Sequence, residues 1–291
     1  MFTDFQNLTV ETSDLKINLL KGGEGYPILL LHGYPQNRMM WHKIAPRLAK
    51  YFAVIIPDLR GYGDSDKPSG MPNHYNYSKR VMAQDQIEVM EQLGYKEFYL
   101  VGHDRGGRVA HRLTLDYPHK VKKLALLDIA PTYQMYSETD QEFATAYYHW
   151  FFLIQPFPFP ETLINNNSDF FLTHCLRSWS KTESAFTPEA MADYLRCFRD
   201  PRTVHGTCED YRASATIDLE HDRQDQEKKI ECPLLILWGN KGVMEKKYDV
   251  VKSWQKKAVN VRGKALNCGH FLPEESPEET YKSLDKFLRI D

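Results

Sequence analysis

The chain has 291 residues, 42% of them hydrophobic and 13% aromatic, with 37 Lys+Arg against 39 Asp+Glu. That is enough apolar material for two ordinary domains, or for one large α/β domain carrying an insert. A formal net charge of -2 excludes an overall basic field of the kind that holds nucleic acid or an anionic membrane, so an anionic ligand would need a local cationic site.

In chain order, the first strong strand signal is Tyr26-Pro-Ile-Leu-Leu-Leu31, followed by a helical stretch over Trp41 to Lys50 and a second apolar run, Phe52 to Ile56. A helix is predicted over Ser78 to Leu93, a strand over Phe98 to Val101, a helix over Gly106 to Tyr117 and a strand over Val121 to Leu127. Such runs lack period-two alternation, as expected of parallel strands covered on both faces. Strand and helix alternate, which predicts a mostly parallel, doubly wound sheet. From about 131 to 222 the chain becomes aromatic-rich and helical, with turn signals at Pro156, Pro158, Pro160 and Asp200-Pro201. Strand character returns at Pro233 to Trp238. The expected organisation is a core made of 1–130 and 223–291, split by a helical cap, 131–222, over the carboxyl edge of the sheet, where pockets of open α/β sheets form.

The five cysteines, at 175, 197, 208, 232 and 268, include no C-x-x-C pair. Free thiols in a reducing compartment are the simplest reading. The N-terminus lacks a basic and apolar leader, and the longest apolar runs are too short to span a bilayer. A cytoplasmic protein is expected. His103, His111 and His119 have no ligand spacing and no H-E-x-x-H occurs, so neither metal nor cofactor is expected.

The informative stretch is Gly102-His-Asp-Arg-Gly-Gly-Arg108, between a strand and a helix. It fits the nucleophile-elbow pattern G-x-Nuc-x-G with Asp104 as nucleophile. The alternative is a phosphate loop or plain turn, but G-x-G-x-x-G and G-K-[ST] are both missing. Downstream, His270 lies before the C-terminal helix and Asp128 directly follows the strand Leu124-Ala-Leu-Leu127. A base at His270 oriented by Asp128 completes a triad. Taken alone, His270 could be a packing histidine and Asp128 a helix cap. The loop His32-Gly-Tyr-Pro35 offers the N–H of Tyr34 to an oxyanion hole, with the N–H of Arg105 as second donor. Asp58 to Ser65 reads as a structural turn.

Aspartate at the elbow limits the chemistry. Attack on an acyl carbon would leave an anhydride, whereas attack on a saturated carbon leaves an alkyl ester that His270-activated water can hydrolyse. Halides and epoxides are the substrate classes with a leaving group on such a carbon. Arg105 and Arg108 share one helix face and oppose the macrodipole there. Two guanidiniums could fork a substrate carboxylate; the alternative is a salt-bridged pair that stabilises the elbow.

With these residues in place, the sequence resembles the fluoroacetate dehalogenases of the α/β-hydrolase fold. The marks are GHDRGGR at 102–108, LLDIAPTY at 126–133, YHW at 148–150, CEDYRA at 208–213 and GHFLPEE at 269–275. The resemblance implies a hydrolase that converts a short haloacid to a hydroxyacid and halide. It implies Asp104 as nucleophile, His270 as base, Asp128 as orienting acid, and Arg105 and Arg108 as carboxylate ligands. It further implies His149, Trp150 and Tyr211 as a halide cradle, with Trp179 as a pocket wall. By itself the His149-Trp150 pair reads as packing in a helical insert. One departure is Ala146, where some relatives are expected to carry lysine. The competing enzyme is an epoxide hydrolase with the same triad, for which Tyr147, Tyr148 and Tyr211 are candidate proton donors. A non-catalytic receptor on the same fold is the other alternative. The only partner expected is the small-molecule haloacid, and the sequence is compatible with a homodimer.

Overall fold

The computed structural model describes residues 1–289. Eight strands form a single sheet: β1 (Phe5–Glu11), β2 (Lys16–Gly22), β3 (Tyr26–Leu31), β4 (Phe52–Pro57), β5 (Phe98–His103), β6 (Val121–Leu127), β7 (Leu234–Gly239) and β8 (Val261–Leu266). Their order is β1-β2-β4-β3-β5-β6-β7-β8. β1 and β2 pair antiparallel, as do β2 and β4. The other pairs are parallel. The α/β-hydrolase fold expected from the sequence is therefore present.

The central strands carry the core. Leu29, Leu30, Leu31, Val54, Ile55 and Ile56 are fully buried, so the continuous apolar runs reflect helices on both faces. The chain leaves β3 toward β4 on one side and returns to β5 on the other. Strand order reverses there, and side chains at the carboxyl ends of β3 and β5 face one crevice. Tyr34 follows β3 and Asp104 follows β5.

Between β6 and β7 the chain runs through eight helices, from Thr132–Ser137 to Ile217–Gln224. The stretch Trp41 to Lys50 holds only a short helix, Ala45–Leu48, after a 3-10 turn at Arg38–Trp41. The helices at Lys79–Gln92 and Asp104–Asp116 lie where expected. No helix among the described residues is long and apolar enough to cross a membrane.

Candidate active site

Asp104 opens the helix Asp104–Asp116 with φ 47, a left-handed conformation that is costly for a side chain other than glycine. Close packing fixes the strained turn. A Cβ on Gly33 would stand 2.4 Å from the Asp104 Cβ, and a Cβ on Gly106 would stand 2.3 Å from the His32 carbonyl oxygen. These glycines let the two loops meet. The Tyr34 N–H donates to Asp104 Oδ1 at 2.9 Å, while the Arg105 N–H lies in the first helical turn, where backbone donors have no intrahelical acceptor.

Asp128 follows β6 with φ 53. Its Oδ1 accepts from the Gly239 N–H at 3.0 Å, and its Oδ2 lies 2.6 Å from His270 Nδ1. That contact places the imidazole proton on Nδ1 and leaves Nε2 as the basic nitrogen. His270 Nε2 stands 3.8 Å from Asp104 Oδ2, beyond a direct hydrogen bond. The loop bearing His270 is pinned on several sides. Its carbonyl contacts His103 Nε2 at 2.8 Å, and its N–H donates to the Trp179 carbonyl at 3.2 Å. Glu275 accepts the N–H groups of Gly269 and Phe271.

Electrostatics separate the groups. Burial alone would raise Asp104, but His270, His103, Arg108 and Arg105 hold its carboxyl below the usual range. Burial disfavours a charged His270, yet the hydrogen bond and charge of Asp128 raise its pKa above 6.5. Burial pushes His149 down to about 3, so its ring is neutral.

The two arginines differ. Arg105 is fully buried and clamped to Asp210: Nε donates to Oδ2 at 2.8 Å, and Nη2 to Oδ1 at 2.7 Å. Among the described residues only its Nη1 lacks a partner. Arg108 is also buried, and its partners are neutral: the Ala130 carbonyl, the Thr132 hydroxyl and the Met135 sulfur. Its guanidinium lies 4.7 Å from the Trp150 ring centre, and its Nε has no partner among the described residues. Burial, then Arg105, lowers its pKa.

A cavity of about 360 Å³ opens above Asp104. Asp128, Ala146, Tyr147, His149, Trp179 and His270 are on its wall. Tyr211 packs edge-on to His149 and near Trp150, and the Arg105 and Arg108 guanidiniums lie over the Tyr211 and Trp150 rings. The His149 ring is 4.3 Å from Trp179, 5.7 Å from Tyr211 and 6.1 Å from Tyr34. His149 Nδ1, Trp150 Nε1 and the Tyr211 hydroxyl are buried without a partner among the described residues. Buried polar atoms are ordinarily satisfied, so three together mark a place for an acceptor. Sequence reasoning missed Asp210, the anchor of Arg105. It was quoted within CEDYRA, but nothing local signals a partner 105 residues away. The cavity-lining lysines 181, 241 and 246 were not singled out either. No group of His, Cys, Asp and Glu that could hold a metal occurs among the described residues.

The family pattern described as alpha/beta hydrolase fold matches residues 26–277, and the chain belongs to that family of hydrolases. More narrowly, it belongs with the fluoroacetate dehalogenases: the fluoroacetate dehalogenase of Burkholderia sp is 46% identical over 289 residues, spanning 99% of this chain and 95% of that protein. A soluble epoxide hydrolase of Corynebacterium sp is 32% identical over 292 residues, spanning 99% of both. A solved structure from Nostoc sp, assigned as an α/β hydrolase, superposes with a TM-score of 0.99 at 63% identity and covers 100% of both chains.

Proposed function

We propose that this protein is a haloacetate dehalogenase, which converts short 2-haloacids such as fluoroacetate or chloroacetate to glycolate and halide. The carrying observation is Arg108, a buried cation whose bonds all go to neutral groups. A buried unpaired charge is costly, and a substrate carboxylate would satisfy it, with Arg105 Nη1 as a second donor. The Burkholderia relative acts on fluoroacetate by name, which supports the same substrate class here.

In this reading the carboxylate is held by Arg108 and Arg105, and Asp104 Oδ2 attacks the halogen-bearing carbon from behind. The carbon–halogen bond breaks as the carbon–oxygen bond forms, and the halide departs with the bonding pair. Trp150 Nε1, the Tyr211 hydroxyl and His149 in its Nδ1-protonated tautomer donate to it as charge develops. The product is an ester of Asp104. His270 Nε2 then takes a proton from water, which attacks the Asp104 carboxyl carbon. The carbonyl oxygen of that ester, Oδ1, already accepts from the Tyr34 N–H, where a tetrahedral oxyanion would form. The intermediate collapses as the Cγ–Oδ2 bond breaks. Glycolate leaves carrying Oδ2 and takes the proton from His270, and the water oxygen stays on Asp104. Asp128 stabilises the imidazolium until that proton is given up. The helices between β6 and β7 serve as a cap that carries the halide donors and the Trp179 wall. Five unpaired cysteines suit a reducing, cytoplasmic setting.

Epoxide hydrolysis is the second reading. It is favoured by the Corynebacterium relative and by Tyr147, buried on the cavity wall. The two readings separate in one assay, halide release from fluoroacetate and chloroacetate beside hydrolysis of styrene oxide. Faster turnover of styrene oxide than of chloroacetate would overturn the haloacid reading.

A further inference from the structure

The rim of the cavity carries charge that the proposed chemistry leaves unused. Lys181, Lys241 and Lys246 line the cavity and are exposed, and its only lining carboxylates are Asp104 and Asp128. The three lysines come from separate places: after the helix Ser168–Trp179, after β7, and within the helix Val243–Lys247. Among the described residues, the Lys241 and Lys246 ammonium groups have no hydrogen bond or ion pair. Lys181 Nζ reaches only the Ser178 carbonyl, at 2.9 Å. Three acids of the surrounding segments are engaged elsewhere, and Glu183, two residues from Lys181, is exposed. Glu245 takes the Trp238 indole N–H and Asp140 takes Lys247. Glu275 accepts three backbone N–H groups, that of Lys181 included.

We propose that Lys181, Lys241 and Lys246 form an electrostatic collar that concentrates anionic substrate at the cavity mouth and so sets the preference for carboxylates before Arg108 is reached. The proposal rests on the haloacetate reading of the site. The chain as a whole is slightly acidic, with a formal charge of -2, so its average field repels a carboxylate. Three unneutralised cations around a low-dielectric opening reverse that field locally, because a cleft lined by one sign of charge focuses the potential. Ala146, on the same wall, supplies no charge. The three ammonium groups are exposed at the mouth and make no bond to Asp104, Asp128 or His270. The collar acts equally on the bound ground state and the transition state, which changes KM and leaves kcat alone.

The test is steady-state kinetics on chloroacetate for the wild-type protein and the triple variant Lys181→Gln, Lys241→Gln, Lys246→Gln. Ionic strength is varied from about 0.01 M to about 1 M, over which the screening length falls from about 30 Å to about 3 Å. The wild-type kcat/KM falls with salt. The variant shows a KM raised roughly 3- to 10-fold at low salt, an unchanged kcat, and convergence with wild type at high salt. The charge-conserving triple variant Lys181→Arg, Lys241→Arg, Lys246→Arg keeps the wild-type KM, because the collar acts through charge alone. A triple variant with wild-type KM and wild-type salt dependence overturns the collar while the haloacetate reading stands. A wild-type protein that turns over epoxide and no haloacetate overturns both. Loss of kcat without a salt-dependent KM assigns the lysines to structure and also refutes the proposal.

Discussion

Asp104 is held ionised, so in the proposed reaction it would need no proton removed, and His270, whose Nε2 stands 3.8 Å from Asp104 Oδ2, would serve only the second step. Changing His270 to Asn should release about one equivalent of halide and stop, since the alkyl ester has no activated water. Intact mass should show a carboxymethyl group on the peptide holding Asp104; sustained wild-type turnover would remove His270 from the mechanism. The same residue sets the pH response. His270 must be neutral to take a proton, and its pKa is raised by Asp128. Turnover therefore falls on the acid side as pH drops through that raised value. In Asp128→Asn the raising charge is lost and burial prevails, so the acid limb of kcat should move to lower pH while kcat itself falls. An unmoved limb would assign the ionisation to another group. Arg108 offers a third test. Losing a buried charged hydrogen bond costs about 2–5 kcal/mol, or roughly 30- to several-thousand-fold in rate. Arg108→Met should thus cut kcat/KM for haloacetate by at least that lower factor, and Arg108→Lys should rescue it partly, a point charge making no forked contact. Unchanged haloacetate kinetics in the Met variant would place the carboxylate elsewhere.

The loop that carries His270 runs into the short helix Leu272–Glu275, and its two acids behave differently. Glu275 is spent on backbone N–H groups, whereas Glu274 is buried against Gln36 and Tyr194, and burial pushes its carboxyl up to about 8. A carboxyl raised in the folded state contributes most below its unfolded value of 4.5, and that contribution is lost as pH rises through about 8. Glu274→Gln stays neutral at every pH. Melting of the two proteins at about pH 5 and about pH 9 should show the variant gaining on wild type at the higher value; a difference independent of pH would mean that Glu274 does not titrate in this window. At this scale the sequence was legible where burial is two-sided. β3 and β6 were read with their observed ends: β3 is a continuous apolar run, and β6, despite Lys122 and Lys123 early in it, ends in the buried run Leu124 to Leu127. β1, β2 and β8 escaped. β8, Val261-Arg-Gly-Lys-Ala-Leu266, is a sheet edge with exposed Arg262, Gly263 and Lys264, so it has no apolar run to read. The β1–β2 hairpin is antiparallel and half solvated, a pattern outside the parallel template.

Across the whole molecule, the strained turn at Asp104 was legible because a tight turn demands glycines at fixed spacing. Asp128 and His270, which the structure brings beside it, were picked out by their places after β6 and before the C-terminal helix. The contacts that join the helices after β6 to the sheet domain were not legible, since they pair residues remote in the chain. Asp210 is the centre of that junction. It lies on the helix Pro201–Ala215 and meets three groups from the other side: the Arg105 guanidinium, the Lys79 ammonium and the Tyr62 hydroxyl at 2.7 Å. Lys79 has a second acid, Asp218, at 3.4 Å. Two buried cations are thus balanced by two buried acids, which leaves Arg108 as the buried cation hydrogen-bonded only to neutral groups. Asp210→Asn would leave Lys79 and Arg105 with Asp218 alone, and breaking a buried pair from one side costs about 3–5 kcal/mol because a charge is stranded. Tyr62→Phe removes only a hydroxyl donor and should cost about 1 kcal/mol. Denaturant unfolding of the two variants should show that order. The Asn variant should also raise KM for haloacetate, since Arg105 loses the clamp that orients its free Nη1. An Asp210→Asn protein as stable as wild type would mean that the junction is held by apolar packing alone, and one that is destabilised but keeps the wild-type KM would remove Arg105 from the carboxylate site and leave that role to Arg108.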